Sequence, residues 1–137
     1  MKISPRMQKQ LNEVFKKMPI EFVYVFGSSL TGHETNQSDV DIAILISKKI
    51  SSKEKRFALR LNLIGQLSRI FKRDADVVVL NDTHSLFFKY IIIKEGQVLY
   101  QKSENQRIDM ECNILSLYFD FQPFFDLYNK RYVQRSL

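Results

Sequence analysis

The pattern of apolar and polar positions predicts helices that alternate with short strands. Residues 4–18 carry apolar side chains at helical spacing, with Ser4 placed to cap the helix and Pro5 at its first position. Runs of β-branched and aromatic residues predict strands. These runs lie at 21–26, 40–46 and 76–80, with a short edge strand at 98–100. The apolar part of the third run is typical of a strand that is covered on both faces.

Two further helices are predicted between these strands. One covers 52–72, with Gly65 as a close-packing point. Its buried stripe is predicted to comprise Phe57, Leu61, Ile64, Leu67, Ile70 and Phe71. The other covers 82–96, with Asp82 or Thr83 as N-cap and Gly96 just past its end.

A last helical region is predicted from 103 to about 135. It opens at a capping box formed by Ser103 and Gln106, and Pro123 is expected to bend or interrupt it. Aromatic residues are concentrated in its second half: Tyr118, Phe119, Phe121, Phe124, Phe125, Tyr128 and Tyr132. A small domain cannot easily bury all of them, so they form either a partner surface or a cover for the back of the sheet.

This order of elements predicts an α+β (α/β) fold, in which helices pack on a small mixed β-sheet and an aromatic-rich helical tail follows. With 137 residues the chain is expected to form one domain. Residues 1–102 would form its core. Residues 103–137 would form a C-terminal helical segment of the same domain.

Composition places the chain among globular proteins, since 45% of its residues are hydrophobic. No apolar run approaches the roughly 20 residues of a membrane span, and no signal peptide opens the chain. We therefore expect a cytoplasmic protein that makes no membrane contact. The single cysteine, Cys112, is expected to be a small buried residue, and no Cys/His cluster predicts a zinc site.

The net charge of +6 favours polyanionic partners such as a nucleoside triphosphate, nucleic acid or an acidic protein. Basic residues cluster near the start of the second helix: Lys48, Lys49, Lys53, Lys55, Arg56 and Arg60. We interpret this cluster as a solvated helix face. Neither an RNA-binding motif nor an aromatic stacking platform accompanies it, so direct binding of nucleic acid is not expected.

Two carboxylates open the second strand, downstream of a Gly-Ser turn. Because side chains alternate along a strand, Asp39 and Asp41 share one face, with about 6.6 Å of rise between them. Carboxylates in this arrangement can hold a pair of divalent cations. At Gly27-Ser28 a backbone without a Cβ can approach a phosphate closely, and the next residues predict a short helical turn whose N–H groups would face it. These residue types indicate a nucleotide-and-metal site.

The spacing is Gly-Ser, ten residues, then Asp-x-Asp, and it resembles the signature of the minimal nucleotidyltransferases, relatives of the DNA polymerase β superfamily. The segments at 84–102 and 115–132 look like those of MntA-type antitoxins, which pair with HEPN toxins. The resemblance extends from residue 22 to the end of the chain. It departs at Ser29, where relatives often have arginine, so this chain lacks a guanidinium that could steady phosphate.

The resemblance implies a polymerase β-like nucleotidyltransferase that moves AMP from ATP, its substrate, onto a hydroxyl with the help of two Mg²⁺ ions. The catalytic and metal-binding residues would be Asp39, Asp41 and Asp76. The residues that bind ATP would be Gly27, Ser28 and Ser29. Asp76 would be the general base, and Asp74 is the alternative third acid because an extended chain places both side chains on one face.

The resemblance also implies the acceptor, a tyrosine of a cognate HEPN ribonuclease toxin, with which the chain would form a hetero-oligomer and act as antitoxin. Two alternatives stay open. The protein could neutralise the toxin by binding alone, or it could transfer the nucleotide to a small-molecule hydroxyl such as that of an aminoglycoside.

Overall fold

The computed structural model describes residues 2–27 and 39–136, with side chains described as far as 123 and at 127. In these ranges four α-helices and four strands follow one another. They are α1 (Pro5–Lys16), β1 (Ile20–Phe26), β2 (Val40–Ile46), α2 (Lys53–Phe71), β3 (Ala75–Val79), α3 (Leu86–Glu95), β4 (Gln97–Gln101) and α4 (Glu104–Ser136). A 3₁₀ turn, Leu80–Asp82, follows β3. The predicted α+β class is confirmed.

The four strands form one mixed sheet in the order β3-β2-β1-β4. Strand β1 pairs antiparallel with β2 and β4, whereas β2 and β3 are parallel and are connected through α2. A parallel pair needs such a crossover connection, and a helix usually provides it. The start of β2, the start of β3 and the end of β1 therefore meet at one end of the sheet.

Helices α1 and α2 cover one face of the sheet. Ser4 caps α1 by accepting a hydrogen bond from the Met7 amide at 3.1 Å, as predicted, and Ser52 caps α2 through the Lys55 amide. Between the helices and the sheet lies the larger core, which includes Leu11, Phe15, Val23, Ile42, Ile44, Leu63, Leu67 and Val77.

Helices α3 and α4 cover the other face over a smaller core of Phe22, Tyr24, Ala43, Leu80 and Ile92. A polar contact joins α4 to the sheet there. The Tyr24 hydroxyl donates to Glu111 Oε1 at 2.6 Å, and Arg107 donates to the same oxygen at 2.8 Å. The first half of α4 thus packs on the back of the sheet, with Ile114 buried.

The buried stripe predicted for α2 is wrong at its N-terminal half. Phe57 and Leu61 are 54% and 51% exposed, whereas Leu63 and Leu67 are fully buried. At about 100° per residue, Leu61 lies on the opposite side of the helix from Leu63. Gly65 is not a close-packing point either, since a Cβ there would meet no atom within 4 Å.

Three further expectations need correction. The predicted N-cap of α3 at Asp82 or Thr83 is wrong, because residues 80–82 already form the 3₁₀ turn. Ser85 caps the helix instead by accepting a hydrogen bond from the Phe88 amide. The predicted end at Gly96 is confirmed. Strand β3 is not covered on both faces along its length, since Asp76 is exposed and Val78 is only half-buried. Cys112 is exposed, because it lies two residues from the buried Ile114 and faces away from the sheet.

Helix α4 continues through Pro123 without interruption. The predicted cap at its start is present, since Ser103 accepts a hydrogen bond from the Gln106 amide. None of the helices in the described ranges has the length and apolar character needed to cross a membrane.

Candidate active site

Asp41 and Asp76 lie side by side on neighbouring strands. In the parallel pairing of β2 with β3, Asp41 is directly opposite Asp76. Adjacent strands are about 4.8 Å apart, so two side chains in register on one face are close neighbours. Val40, Ile42 and Val77, which alternate with the two acids, are fully or almost fully buried against α1 and α2. The carboxylates therefore share the opposite face, near the end of the sheet where β1 finishes.

Gly27 completes this end of the sheet and packs directly against Asp41. Its predecessor Phe26 is the antiparallel partner of Asp41, and Gly27 itself has φ of +82°. A Cβ at this position would collide with the Asp41 carboxylate and lie 3.2 Å from its Cγ. The glycine is thus required both by its backbone conformation and by the space that Asp41 occupies.

The electrostatic environment of Asp41 is unfavourable for a negative charge. Burial raises the pKa of Asp41 above its usual value, and the nearby carboxylates of Asp76 and Asp39 raise it further. The other two predicted acids are therefore both within electrostatic reach of Asp41. A bound cation would relieve this repulsion.

Oxygen donors of this kind suit a hard divalent cation such as Mg²⁺, which prefers carboxylate ligands. Asp41 and Asp76 fit that requirement by their shared face and register. Asp39 is exposed and lies just before β2. Within residues 2–27 and 39–136, no group of three His, Cys, Asp or Glu side chains is close enough together to hold a metal. The three-carboxylate site as a whole therefore stays a prediction.

The alternative third acid, Asp74, lies outside β3. Its backbone carbonyl accepts a hydrogen bond from the Val40 amide at 2.9 Å, while its side chain is exposed. The structure places Asp76, and not Asp74, opposite Asp41.

Part of the predicted phosphate site lies outside the described residues. This applies to Ser28 and Ser29 and to the helical turn predicted after them. Of the three residues predicted to bind ATP, only Gly27 can be located.

Two basic residues near the site were not identified from the sequence. The sequence predicts a solvated face for Arg56 and Arg60, which lie one helical turn apart on α2. Instead, Arg56 makes a two-pronged ion pair with Asp82, at 3.0 and 2.7 Å. Arg60 forms an ion pair with Asp76 at 3.2 Å. The spacing of four residues between the arginines was the available signal, since it places both on one helix face.

A surface cavity of about 1090 Å³ lies between α1 and α2 and is lined by residues such as Met7, Val14 and Leu59. It is on the face of the sheet opposite the carboxylates and includes none of them. The position of the cavity argues against a role in chemistry that involves the carboxylates.

Comparison with solved structures shows several similar folds. A chain of a toxin-antitoxin complex with AMP-PNP is 20% identical, with a TM-score of 0.72, and the match covers 92% of this chain and 98% of that one. A chain of the toxin-antitoxin MntA-HepT is 17% identical, with a TM-score of 0.69 and coverage of 95% and 99%. A chain from the tri-AMPylated Shewanella oneidensis HEPN toxin in complex with MNT antitoxin is 20% identical, with a TM-score of 0.66 and coverage of 93% and 98%. At these identities the likeness establishes the fold.

A search of curated proteins gave no match. A family model, described as polymerase beta, nucleotidyltransferase, matches residues 9–105. The matched range contains all four strands, Gly27 and the three acids. Since it spans well over half of the sequence, this chain belongs to the polymerase beta nucleotidyltransferase family.

Proposed function

We propose that this protein is an antitoxin that transfers AMP from ATP to a hydroxyl of a partner HEPN toxin in a Mg²⁺-dependent reaction. The observation that carries the proposal is the in-register pair of carboxylates, Asp41 and Asp76, next to a glycine that has no room for a side chain. Family membership supports the reaction type. The similar structures support the partner, since one contains a tri-AMPylated HEPN toxin together with an MNT antitoxin and another contains AMP-PNP.

The proposed reaction is a single displacement at phosphorus. The acceptor oxygen forms a bond to the α-phosphorus of ATP, the bond to pyrophosphate breaks, and Asp76 takes the proton of the acceptor hydroxyl. Gly27, Ser28 and Ser29 hold the terminal phosphates. Two Mg²⁺ ions, held by Asp39, Asp41 and Asp76, would neutralise charge on the triphosphate and on the leaving pyrophosphate.

We further propose that the acceptor is a tyrosine of the toxin and that residues 1–102 and 103–137 act as one domain. The second point is supported by the contact of Tyr24 with Glu111 and by the burial of Ile114 against the sheet. Both features attach the C-terminal helix to the core.

The direct test is transfer of label from α-labelled ATP to the cognate HEPN toxin in the presence of Mg²⁺. We expect wild type to label the toxin, and Asp41→Asn and Asp76→Asn to lose at least about 100-fold in rate, the scale for removing one charge-stabilising group. Asp74→Asn is the matched control, because it removes an exposed carboxylate two residues from Asp76 and should stay close to wild type. Absence of label with wild type, or full activity of both site variants, would refute the proposal.

A second candidate function is neutralisation of the toxin by binding alone. It is favoured by an aromatic face on α3 and α4, which we define as Phe87, Tyr90, Tyr118, Phe119 and Phe121. Tyr90 and Tyr118 stack with their ring centroids 3.8 Å apart, while Phe87, Phe119 and Phe121 are about half exposed. Exposed apolar surface of this kind commonly marks a protein interface.

The same variants separate the two functions. If Asp41→Asn and Asp76→Asn abolish labelling and yet relieve toxicity in cells as well as wild type does, neutralisation by binding is the function. If they lose both labelling and relief of toxicity, the transfer reaction is the function.

A further inference from the structure

Arg60 connects helix α2 to the edge strand at the position of the third acid. Its Nε donates to the backbone carbonyl of Val77 at 2.6 Å, and its Nη2 donates to Asp76 Oδ1 at 3.2 Å. One guanidinium thus holds both the side chain of Asp76 and the backbone of the next residue. The rigid planar group fixes the angle between these two contacts, which an ammonium group cannot do.

The ion pair is too exposed to serve mainly as a stabilising contact. The side chains of Arg60 and Asp76 are 31% and 55% exposed. Exposed ion pairs contribute little to folding. The neighbouring pair of Arg56 with Asp82 is less exposed, at 15% and 25%, and makes two short contacts.

The contact with Arg60 instead orients the Asp76 side chain. The edge position of β3 leaves the Asp76 side chain without a neighbouring strand on its outer side. Arg60 binds Oδ1 there, which leaves the second carboxylate oxygen without a contact to Arg60. A carboxylate held in one rotamer is better placed to accept a proton from the acceptor hydroxyl than one that rotates freely.

We infer that Arg60 is a positioning residue for Asp76, which it holds in orientation while carrying a positive charge beside the carboxylate. This inference rests on the proposed function. It has two separable consequences. Loss of Arg60 frees the Asp76 side chain and slows transfer, and it also removes a cation that opposes binding of Mg²⁺ to the same carboxylate.

The test compares Arg60→Gln with Arg56→Gln, a matched change one helical turn away. Turnover is measured with the cognate toxin at saturating ATP and Mg²⁺. Separately, without ATP or toxin, the Mg²⁺ concentration that half-maximally raises the melting temperature is measured. For Arg60→Gln we expect kcat to fall about tenfold, KM for ATP to stay unchanged, and the Mg²⁺ midpoint to fall about threefold, the scale of one exposed charge pair.

Arg56→Gln should lower the melting temperature and leave kcat and the Mg²⁺ midpoint at wild-type values. In an Asp76→Asn background, Arg60→Gln should no longer shift the midpoint, because its effect acts through that carboxylate. Arg60→Lys keeps the charge but cannot make both contacts of the guanidinium. Its Mg²⁺ midpoint should therefore stay near the wild-type value, while kcat falls.

The inference is overturned if Arg60→Gln turns over like wild type, if its Mg²⁺ midpoint is unchanged or raised, or if the shift persists with Asp76→Asn. A wild-type protein that transfers no label would instead refute the proposed function. The metal titration, which needs neither ATP nor toxin, distinguishes the two failures.

Discussion

Asp41 is the central residue of the proposed site. It is partly buried, it is opposite Asp76, and it leaves no space for a Cβ at Gly27. Burial and the neighbouring acid are unfavourable for a metal-free carboxylate. Together they are expected where a charge is kept for function at the expense of stability.

The first prediction concerns the pH dependence of folding. Burial and the neighbouring acids raise the pKa of Asp41, so the metal-free folded state keeps a proton over a pH range in which the unfolded chain has lost it. The free energy of unfolding therefore falls as the pH rises from the usual aspartate value of 3.8 through the raised pKa. Asp41→Asn removes this dependence.

Urea unfolding in EDTA from pH 4 to pH 8 measures the effect. We expect Asp41→Asn to be more stable than wild type at neutral pH, by a margin that shrinks as the pH is lowered. Asp74→Asn controls for the loss of one negative charge. Parallel stability curves for wild type and Asp41→Asn would contradict the prediction.

The second prediction contrasts two glycines. Gly27→Ala places a side chain at positive φ and against the Asp41 carboxylate, so we expect a loss of stability of at least about 1–2 kcal/mol together with loss of transfer. Gly65→Ala lies in the exposed middle of α2 and meets nothing, so it should stabilise the protein by about 0.5–1 kcal/mol. Chemical denaturation measures both, and a neutral Gly27→Ala would show that the turn can move away from Asp41.

At the scale of elements, the attachment of α4 to the sheet depends on a small polar cluster that includes the buried Tyr24. Glu111 accepts from Tyr24 and Arg107, and Arg107 also donates to Gln101 at 2.6 Å. Burial and the hydrogen bond with Glu111 raise the pKa of Tyr24, so the phenol stays protonated and remains a donor at neutral pH. The cluster thus links β1, the end of β4 and α4.

The third prediction tests this link. Tyr24→Phe removes one hydrogen bond to a charged acceptor and should lower the free energy of unfolding by about 1.5–3 kcal/mol. Amide hydrogen exchange should increase in the first half of α4. Arg107→Gln removes the other donor, and the loss in the double variant should differ from the sum of the single losses because both act on Glu111. Unchanged stability of Tyr24→Phe would contradict the assignment.

The elements differ in how far the sequence could predict them. The strands and α1 follow local signals, namely β-branched runs and the Ser4-Pro5 start, and the structure confirms them within a residue or two. The buried face of α2 could not be obtained in this way, because Phe57 and Leu61 match the helical period but face solvent. Periodicity identifies an apolar stripe, whereas the neighbours that cover it are set by tertiary packing.

In the candidate site, too, some features follow from local sequence and others depend on tertiary packing. The Gly-Ser and Asp-x-Asp spacing was visible in the sequence, and Asp76 was selected from the strand that carries it. The role of Arg60 was not visible, since its contacts depend on how α2 crosses the edge of β3. An arginine in a basic cluster has the same local sequence whether it is solvated or paired.

For the molecule as a whole, the distribution of exposed apolar side chains is uneven. Beyond Ile114, α4 is no longer covered by the sheet, and Leu117, Phe119, Phe121 and Leu127 are 41–55% exposed. Tyr90 on α3 extends this surface through its stacking on Tyr118. The carboxylates and this surface both belong to the side of the sheet opposite α1 and α2.

The fourth prediction is that the aromatic face binds the proposed partner toxin. The double variant Phe119→Ser, Phe121→Ser should weaken toxin binding at least about 30-fold, as expected for aromatic interface residues. Phe57→Ser, Leu61→Ser is the control, because these side chains are equally exposed on the other side of the sheet. Binding is measured by calorimetry, and equal affinity of the two double variants would contradict the prediction.

Asn81 has a consequence for the geometry of the carboxylates, although it lies far from them. Its side-chain amide accepts from the Ile46 N–H at 2.8 Å and donates to the Ile46 carbonyl at 2.9 Å, in continuation of the strand register that pairs Ile44 with Val79. These two hydrogen bonds therefore oppose a shift of β3 along β2. A slip of two residues would carry Asp76 about 6.6 Å away from Asp41. The alignment of the two acids is thus fixed from the far end of the sheet, by a residue that touches neither of them.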